Sequence, residues 1–567
     1  MRIAVFTDTH LRAPEGDTSS PYAVNERANA RARYATALIA ELAPDHTVHL
    51  GDMVHPLPHM AAYASAAAEA KRVFEPLQPQ LSFVPGNHDI GDKPSPGLPA
   101  KATNPDHISR YESAFGDSAW ASVCGEVTLV AINSSLINTG LEAEHLQFDW
   151  LAHTLSEHRR QQVLLFSHYP PFIQAPDEPD HYDNIAEPGR SRLLKLASSH
   201  GVRAILSGHV HHFFYNRYGD MQLWCLPATS FTRQDYSELF QGKPAPEHGR
   251  DDTGKYGVAL FDVDEETLDF RWFQTHGRTL AAHERKVSPS TPPRWTGLVP
   301  HMRHDWHSAR QLPYNGPMEE YSRKSARNDY PLLRLLQSGI DTVRVPLSDL
   351  LTETSRTRLL DWASLGVRFV VFSTTVPDED SVVCLNAHAR ALAGFELIDI
   401  RGTLDEAIAT AAEIVQRTTV PVTLAKASTS AATADGKAFA HTATTGYPLS
   451  DCADIVAALA RSDEPCPGVL LQLAWEEPVD ALTEAVSRIQ GAGSRVAVNV
   501  RLSHSNPADA NTDDVAIDRK LRAALAFATD HDVVVQCDTF EDVDRGYHPR
   551  HGLVDRLHNF RHAHDTD

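Results

Sequence analysis

Cysteine is scarce in this 567-residue chain: six residues, none in a C-x-x-C spacing. That removes a disulfide framework and a zinc knuckle from consideration. Long apolar runs are also missing, and no stretch approaches the ~20 residues needed to cross a bilayer. Basic residues are outnumbered, 52 Lys and Arg against 74 Asp and Glu, for a formal net charge of −22. Polyanion binding depends on Lys and Arg displacing counterions, so this balance argues against nucleic acid as a partner. The chain opens directly on an apolar run, MRIAVF. That start leaves no room for a signal peptide and points to a cytoplasmic location. At this length two or more domains are expected, each with its own core.

Histidine, by contrast, is abundant at 31 residues. Seven metal-competent side chains fall in five short clusters within residues 1–211, each at the end of an apolar run. They are Asp8 and His10 in RIAVFTDTH, Asp52 in TVHLGDMVH, Asn87 in LSFVPGNHD, His168 in VLLFSHYPP, and His209 with His211 in AILSGHVHH. Runs such as IAVF and VLLF read as buried strands of an α/β sheet. In such sheets functional groups gather where the carboxyl ends of the strands release the chain into loops. Each cluster alone is weak, since an Asp-x-His arises by chance and an Asn-His-Asp is often only a turn. Five in succession, each after a strand, point to metal. Carboxylate, amide oxygen and imidazole suit manganese, iron or zinc. Seven positions exceed one four-coordinate ion and suit two divalent or trivalent ions sharing a bridging carboxylate.

The ordered set DTH, GD, GNHD, H and GHVH resembles the calcineurin-like metallophosphoesterase superfamily, over roughly residues 1–275. The resemblance implies an α/β/β/α sandwich with metals at the loop end of its sheets. It implies Asp8, His10, Asp52 and His211 around one ion, and Asn87, His168, His209 and the shared Asp52 around the other. A hydroxide bridging the ions would then attack phosphorus in line with the leaving oxygen. His88 is the natural donor of a proton to that oxygen, and Asp89 is expected to orient its imidazole. Protein Ser/Thr phosphatases resembling this family carry an arginine shortly after the second motif. Here Asp52 is followed by Met53, Val54, His55, Pro56 and Leu57. The style of DTHL and HYPPF is similar to the cyclic-nucleotide and glycerophosphodiester phosphodiesterase branch, which usually has aspartate where His55 stands.

Residues 176–188, PDEPDHYDNIAEP, read either as an acidic surface loop or as a substrate lid. In the lid reading Tyr182 and Asn184 reach the leaving group, and Asp183 repels a second phosphate charge, favouring diesters. A second insert, IGDKPSPGLPAKATNP, follows Asp89 and would cover another side of the site. The expected activity is therefore metal-dependent hydrolysis of a small organophosphate, a phosphodiester first. The alternatives are a phosphomonoesterase and a non-catalytic metal-binding scaffold. Retention of all seven positions and of His88 favours the enzyme.

KYGVALFDVDEETLDFRWFQ alternates in strand fashion and closes a first domain over 1–276. A polar, proline-bearing linker is expected at 277–295. From 296 to 567 eight strand candidates alternate with helical stretches: TGLVPHM, DTVRVPL, VRFVVFST, FELIDI, PVTLAKA, GVLLQLA, SRVAVNVRL and DVVVQCDTF. That pattern predicts a (β/α)8 barrel, with an open doubly wound sheet as the competing fold. Asp399, Arg401, Lys426, Gln472, Asn499, Arg501, Gln536 and Asp538 mark the strand ends. They suit a second site for a sugar-like or phosphorylated ligand, or else internal salt bridges of a scaffold or oligomer interface. The charged and aromatic strip DTFEDVDRGYHPRHGLVDRL near the C-terminus suggests a partner-binding or barrel-closing segment.

Overall fold

A computed structural model describes residues 1–16, 20–95, 101–284, 286–303, 306–313, 322–399, 402–429, 443–462, 465–504, 513–542 and 551–561. The chain forms two compact units, one comprising Met1–Thr291 and Ala309–Leu333, the other Pro292–Ser308 and Arg334–Asp567. The N-terminal unit thus takes back a segment from beyond the expected 277–295 linker.

That unit is built on two sheets. In the first, β1 (Arg2–Phe6), β2 (His46–His49) and β3 (Leu81–Phe83) are parallel neighbours. The antiparallel hairpin β10 (Gly257–Val263) and β11 (Leu268–Gln274), expected from the alternating KYGVALF segment, completes the sheet beside β1. The second sheet runs in the order β4 (Trp120–Cys124), β5 (Val127–Ala131), β6 (Gln162–Phe166), β7 (Ala204–Ser207), β9 (Met221–Cys225), β8 (Phe214–Tyr218). The two sheets meet through aromatic rings: Trp224 of β9 stacks on Phe270 of β11 at 4.7 Å and stands edge-on to Phe261 of β10 at 5.6 Å. Helices Ala28–Leu42 and Tyr63–Phe74 cover the outer face of the first sheet, burying Leu38, Ile39, Val73 and Phe74. Helices Glu142–Glu157 and Gly189–Ser199 cover the second through Phe148, Leu151, Leu193 and Leu194. This is a metallophosphoesterase-type α/β/β/α sandwich.

The returning segment is the hairpin β13 (Ala309–Pro313) and β14 (Arg323–Arg327). Its Leu312 and Ala326 join a buried cluster with Ile173, Val210, Phe214 and Tyr236.

The second unit is a ring of parallel strands: β12 (Leu298–Pro300), β15 (Thr342–Pro346), β16 (Arg368–Ser373), β17 (Leu392–Asp399), β18 (Val422–Thr429), β21 (Gly468–Leu473), β22 (Val496–Val500) and β23 (Val534–Cys537). All eight strand candidates form. From β16 onward each strand pairs with its predecessor in this series, and β23 pairs with β12. A bridge between His301 and Arg344 links the β12 and β15 ends. The order never reverses as a doubly wound sheet requires, so the nearly closed barrel is the fold. Short strands β19 (Ala443–Thr445) and β20 (Tyr447–Pro448) decorate β18 and β21. Three of the described helices of this unit carry side-chain caps, whereas Asp451, at the N-cap of Cys452–Arg461, makes none. Asp378 and Asp513 accept from backbone N–H groups of the first turn, and Thr403 with Glu406 forms a capping box. Arg401 and residues 543–550 of the C-terminal strip lie outside the described residues, as do residues 96–100 of the insert after Asp89. No described helix is long and apolar enough to cross a membrane.

Candidate metal centre

Asp8 and His10 follow β1, Asp52 follows β2, Asn87 follows β3, His168 follows β6, and His209 and His211 follow β7. These strands are parallel neighbours within their sheets, so their carboxyl ends open toward one place. Backbone bonds clamp the loops together. Asp8 N–H donates to Gly51 O at 3.0 Å, His10 N–H to Asp52 O at 2.9 Å, and Gly208 N–H to His168 O at 3.0 Å. The second sheet is tied to the first by Ser230 Oγ donating to Asp8 O at 2.5 Å.

The turns needed to aim these side chains are unusual. Asp8, His10, Asp52, His209 and His211 all adopt positive φ, between 47° and 68°. That left-handed region is uncommon for residues other than glycine, with Asp, Asn and His its most frequent occupants. Such strain persists where the surroundings over-determine it, typically at functional sites. The glycines of the motifs supply the space. A Cβ on Gly86 would meet Asp52 N at 2.2 Å, and one on Gly208 would meet Thr7 Oγ1 at 2.0 Å.

All seven candidate ligands are buried, and they divide into two sets. In one, His211 Nε2 lies 3.2 Å from Asp8 Oδ1 and 3.2 Å from His10 Nε2. In the other, Asn87 Oδ1 lies 3.1 Å from His168 Nε2 and 3.0 Å from His209 Nδ1. Asp52 belongs to both: its Oδ2 is 3.5 Å from His10 Nε2 and its Oδ1 is 3.4 Å from His168 Nε2.

The protonation pattern fits cations at the centre of each set. His168 Nδ1 donates to Leu50 O at 2.8 Å and His211 Nδ1 to Phe231 O at 2.7 Å, so that each ring, when it is neutral, offers a lone pair at its inward Nε2. Those lone pairs face carboxylate and amide oxygens, which are acceptors as well. Asp8 Oδ1 is buried with no hydrogen-bond partner. Acceptors converging on acceptors call for a cation. Burial, then the charge of His88, holds His10 well below the usual imidazole range. Burial and then His168 do the same for His209. For His168 burial is outweighed by the Asp52 carboxylate, and its pKa is pushed up to about 9. A metal ion at that point takes the place of the proton. The residues present therefore fit a dinuclear centre of borderline metals.

His88 is half-buried beside the two sets. Its backbone N–H donates to Asp52 Oδ1 at 2.8 Å, and its Nδ1 donates to the carbonyl of His55. Asp89 does not orient the His88 ring. Its carboxylate accepts from Gly86 N at 2.9 Å, Val54 N at 3.2 Å and Met53 N at 3.3 Å, so it fastens the Asp52 turn instead. The carbonyl of His55 has the orienting position. The His55 ring itself stands 3.3 Å from His10 Nδ1 and forms a further histidine group with His10 and His88.

In the 176–188 segment, Tyr182 lies against the centre, its hydroxyl accepting from Asn87 Nδ2 at 3.3 Å and its ring 4.8 Å from that of His209. Asn184 does not reach a leaving group. Its amide donates to Glu178 Oε1 at 2.8 Å and Pro179 O at 3.0 Å and accepts from His181 N at 3.1 Å, all within the loop. Asp183 carries no free charge to repel a substrate. It is ion-paired with Arg233 and Lys324 and accepts from the Tyr236 hydroxyl at 2.8 Å. Burial alone would raise its pKa, but Arg233 and Lys324 hold it well below the usual carboxylate range. Its Oδ1 stands 3.7 Å from His209 Nε2, the nitrogen turned away from Asn87. At that distance the carboxylate is an electrostatic neighbour of the His209 ring and not its hydrogen-bond partner.

Sequence reasoning missed several supports of the site. Lys93 donates to the carbonyls of His181 and Asn184, pinning the loop. Tyr169 of the HYPPF run donates to Asp92 Oδ1 at 2.9 Å and packs its ring 4.1 Å from that of His209. Asp92 and Lys93 follow the short GNHDI helix, and the extra acid-base pair after that motif was their only sequence signal.

Residues 1–213 match the model of the calcineurin-like phosphoesterase family. A protein of Danio rerio named serine/threonine-protein phosphatase CPPED1 is 30% identical over 179 residues, 30% of this chain and 54% of that protein. The chain thus spans about half the length of that relative. A probable cyclic nucleotide phosphodiesterase of Rhodococcus erythropolis is 25% identical over 270 residues, 46% of this chain and 80% of that protein. Among solved structures, purple acid phosphatase PPD1 of Lupinus luteus matches at 14% identity and a TM-score of 0.35, over 49% of this chain and 52% of its own. The motif order, the converging donor sets and the family match agree: the N-terminal half of this chain carries a calcineurin-like metallophosphoesterase domain.

Proposed function

We propose that the N-terminal unit is a dinuclear-metal hydrolase of a small organophosphate, a phosphodiester in preference. One observation carries the reading: the two oxygens of Asp52 face two separate donor sets, His10 on one side and His168 on the other. When bound, two such ions supply positive charge to the phosphoryl oxygens and lower the pKa of a water held between them. Asp8, His10 and His211 would hold one ion and Asn87, His168 and His209 the other, with Asp52 within reach of both. His88 donates the proton that the leaving oxygen needs. Its Nδ1 is fixed on the His55 carbonyl, which leaves Nε2 as the atom that releases it. Tyr182 closes the side of the pocket next to Asn87.

Charge supports a diester. Two cations of the surrounding loops are already committed, Arg233 to Asp183 and Asp235, and Lys93 to two carbonyls, while Arg250 lies 4.2 Å over the ring of Phe231 beside His211. A singly charged diester needs less compensation than a doubly charged monoester. The similarity to a protein named as a protein phosphatase favours the second reading, a phosphomonoesterase. The net charge of −22 supports a small substrate over nucleic acid in both.

The test is hydrolysis of bis(p-nitrophenyl) phosphate and of p-nitrophenyl phosphate by the full chain with Mn²⁺, before and after chelation. Faster chelator-sensitive turnover of the diester is expected. Faster turnover of the monoester would select the second reading. No turnover of either by protein with its metal content verified would remove the enzyme.

A further inference from the structure

A cation without an anion stands beside the metal centre. Arg250 follows the turn Glu247–Gly249, in which Glu247 and His248 adopt positive φ of 54° and 59°. Backbone strain of that kind is kept where the surroundings over-determine it. Here they fasten the next residue: Arg250 O accepts from Thr232 N at 2.9 Å and from the Tyr256 hydroxyl at 3.0 Å. The half-buried guanidinium lies 4.3 Å over the ring of Tyr22 and 4.2 Å over that of Phe231. Phe231 in turn packs 4.5 Å from the ring of His211 and 4.8 Å from that of His10. Arg250 is therefore one side chain removed from two candidate ligands of the same ion.

The arginines around it have carboxylates of their own. Arg27 and Arg31 share Asp251, at 2.7 Å and 2.8 Å, and Arg233 pairs with Asp183 and Asp235. Glu247 accepts from Val24 N at 3.0 Å and stands 3.9 Å from Arg27, and Asp252 lies 3.6 Å from Lys255. Among the described residues Arg250 makes no ion pair. Its side chain makes a single hydrogen bond among them, a long one of 3.5 Å from Nη2 to Asn25 Oδ1, and its Nε is buried without any. Burial lowers its pKa to about 10, so it remains charged at neutral pH. In a chain of net charge −22, a guanidinium kept from every carboxylate and stacked between two rings is a donor held in reserve. Guanidinium donors match the oxygens of carboxylate and phosphate in both charge and geometry. Arg250 packs on Phe231, and it is the Phe231 ring that meets His10 and His211. That position suits an anion on the organic part of a substrate and not the phosphoryl group held at the ions.

We propose, on the strength of the hydrolase reading, that Arg250 determines specificity by binding an oxyanion, a carboxylate or phosphate, carried by the organic part of the substrate. Tyr22 and Phe231 hold the guanidinium flat, and Asn25 fixes its edge. The scissile diester then has one negative charge at the ions and a second at Arg250.

Three phosphonates that cannot be hydrolysed serve as probes: propylphosphonate, 3-phosphonopropionate and ethylenediphosphonate. Each is titrated calorimetrically into the Mn²⁺-loaded full chain, as wild type, Arg250→Gln and Arg250→Lys. Wild type is expected to bind one or both of the doubly anionic probes about tenfold more tightly than propylphosphonate, the scale of one charge-assisted hydrogen bond. The tighter of the two identifies the distal group as carboxylate or phosphate. In Arg250→Gln the preference should vanish, and in Arg250→Lys, which keeps the charge, part of it should remain. Both variants should unfold cooperatively, because no carboxylate loses a partner. Equal affinity of the wild type for all three probes, or an undiminished preference in Arg250→Gln, would overturn the role. A lysine variant no better than the glutamine one would overturn recognition by charge. The titration needs no turnover, so the two readings fail separately. A preference lost in Arg250→Gln, in a chain that cleaves neither nitrophenyl ester, would sink the hydrolase and leave the anion site standing. Turnover without any preference would do the reverse.

Discussion

Lys324 and Asp183 form a fully buried ion pair across 141 positions of sequence. Lys324 lies on β14, in the hairpin that the chain contributes only after it has left the N-terminal unit at Thr291. Asp183 in turn faces His209, a candidate metal ligand. The residues that steady the centre therefore extend beyond the segment matched by the family.

Replacing Lys324 by Met tests that extension. Removing one partner of a buried pair leaves an uncompensated charge, typically at about 3–5 kcal/mol. Arg233 and Tyr236 remain on Asp183, so the lower end is expected here. Moving the carboxylate beside His209 is expected to weaken metal binding by about tenfold, the lower end for neighbours of a ligating histidine. Thermal unfolding and metal content after dialysis against limiting chelator read both effects. A variant that unfolds and retains metal like the wild type would make the hairpin irrelevant to the centre.

His88 and Asp89 adjoin in sequence but part in function. His88→Ala is expected to lower turnover ~10²–10⁴-fold with metals still bound. Asp89→Asn keeps the His88–His55 contact and weakens the backbone bonds that hold Met53 and Val54. Its expected signature is a loss of about 1–3 kcal/mol in stability, with the shape of the pH–rate profile unchanged. A profile altered by Asp89→Asn and not by His88→Ala would reverse the two assignments.

The distinction between those neighbours also marks how far the sequence could be read. Strands ending in DTH, GD, GNHD, SH and GHVH announce themselves because an apolar run and a ligand adjoin in the chain, and all seven positions meet in space. The eight barrel strands are equally plain, being short β-branched runs between amphipathic helices. Direction within a loop is a different matter. Nothing in PDEPDHYDNIAEP says that Tyr182 turns to Asn87 while Asn184 turns back on Glu178. The hairpin of β13 and β14 has no periodicity to betray it. Among its described residues Leu312 and Ala326 join the buried cluster, and Lys324 and Arg327 are held by ion pairs with Asp183 and Asp329, which composition reads as surface charge. Long-range electrostatic pairing leaves no local trace.

The glycine of GHVH carries a steric prediction. In Gly208→Ala the new Cβ would lie 2.0 Å from Thr7 Oγ1 and 2.8 Å from Asp8 Oδ2. Thr7 and Asp8 are fully buried and cannot withdraw. Overpacking of this kind costs about 1–3 kcal/mol, and here one of the two crowded residues, Asp8, is a candidate ligand. Gly491, at the end of helix Leu482–Gly491 with nothing within 4 Å, is the control, and its Ala variant should be neutral or slightly stabilising. Calorimetric metal titration should show weakened binding in Gly208→Ala alone. Full affinity in that variant would mean that the loop relaxes without moving Asp8.

Glu178 gives the acid side of the stability profile a specific origin. Its carboxylate accepts from Ile173 N at 3.0 Å, Gln174 N at 2.8 Å, Ala175 N at 3.2 Å, His181 Nε2 at 3.1 Å and Asn184 Nδ2 at 2.8 Å. Burial would raise its pKa, but the hydrogen bonds from His181, Asn184 and the backbone outweigh that and hold it below the ordinary value of 4.5. Between the depressed folded value and 4.5 the native state binds fewer protons than the unfolded chain, so stability rises with pH there. The contribution is complete above pH 4.5 and disappears as the pH falls through the folded value. Glu178→Gln should therefore be less stable than the wild type at neutral pH, by about 1.5–3 kcal/mol for bonds to a charged acceptor. The gap should close on acidification below pH 4.5. Parallel melting curves of the two proteins from pH 3 to 7 decide the point, because a gap that stays constant with pH would mean that the glutamate holds the Tyr182 loop through shape and not through charge.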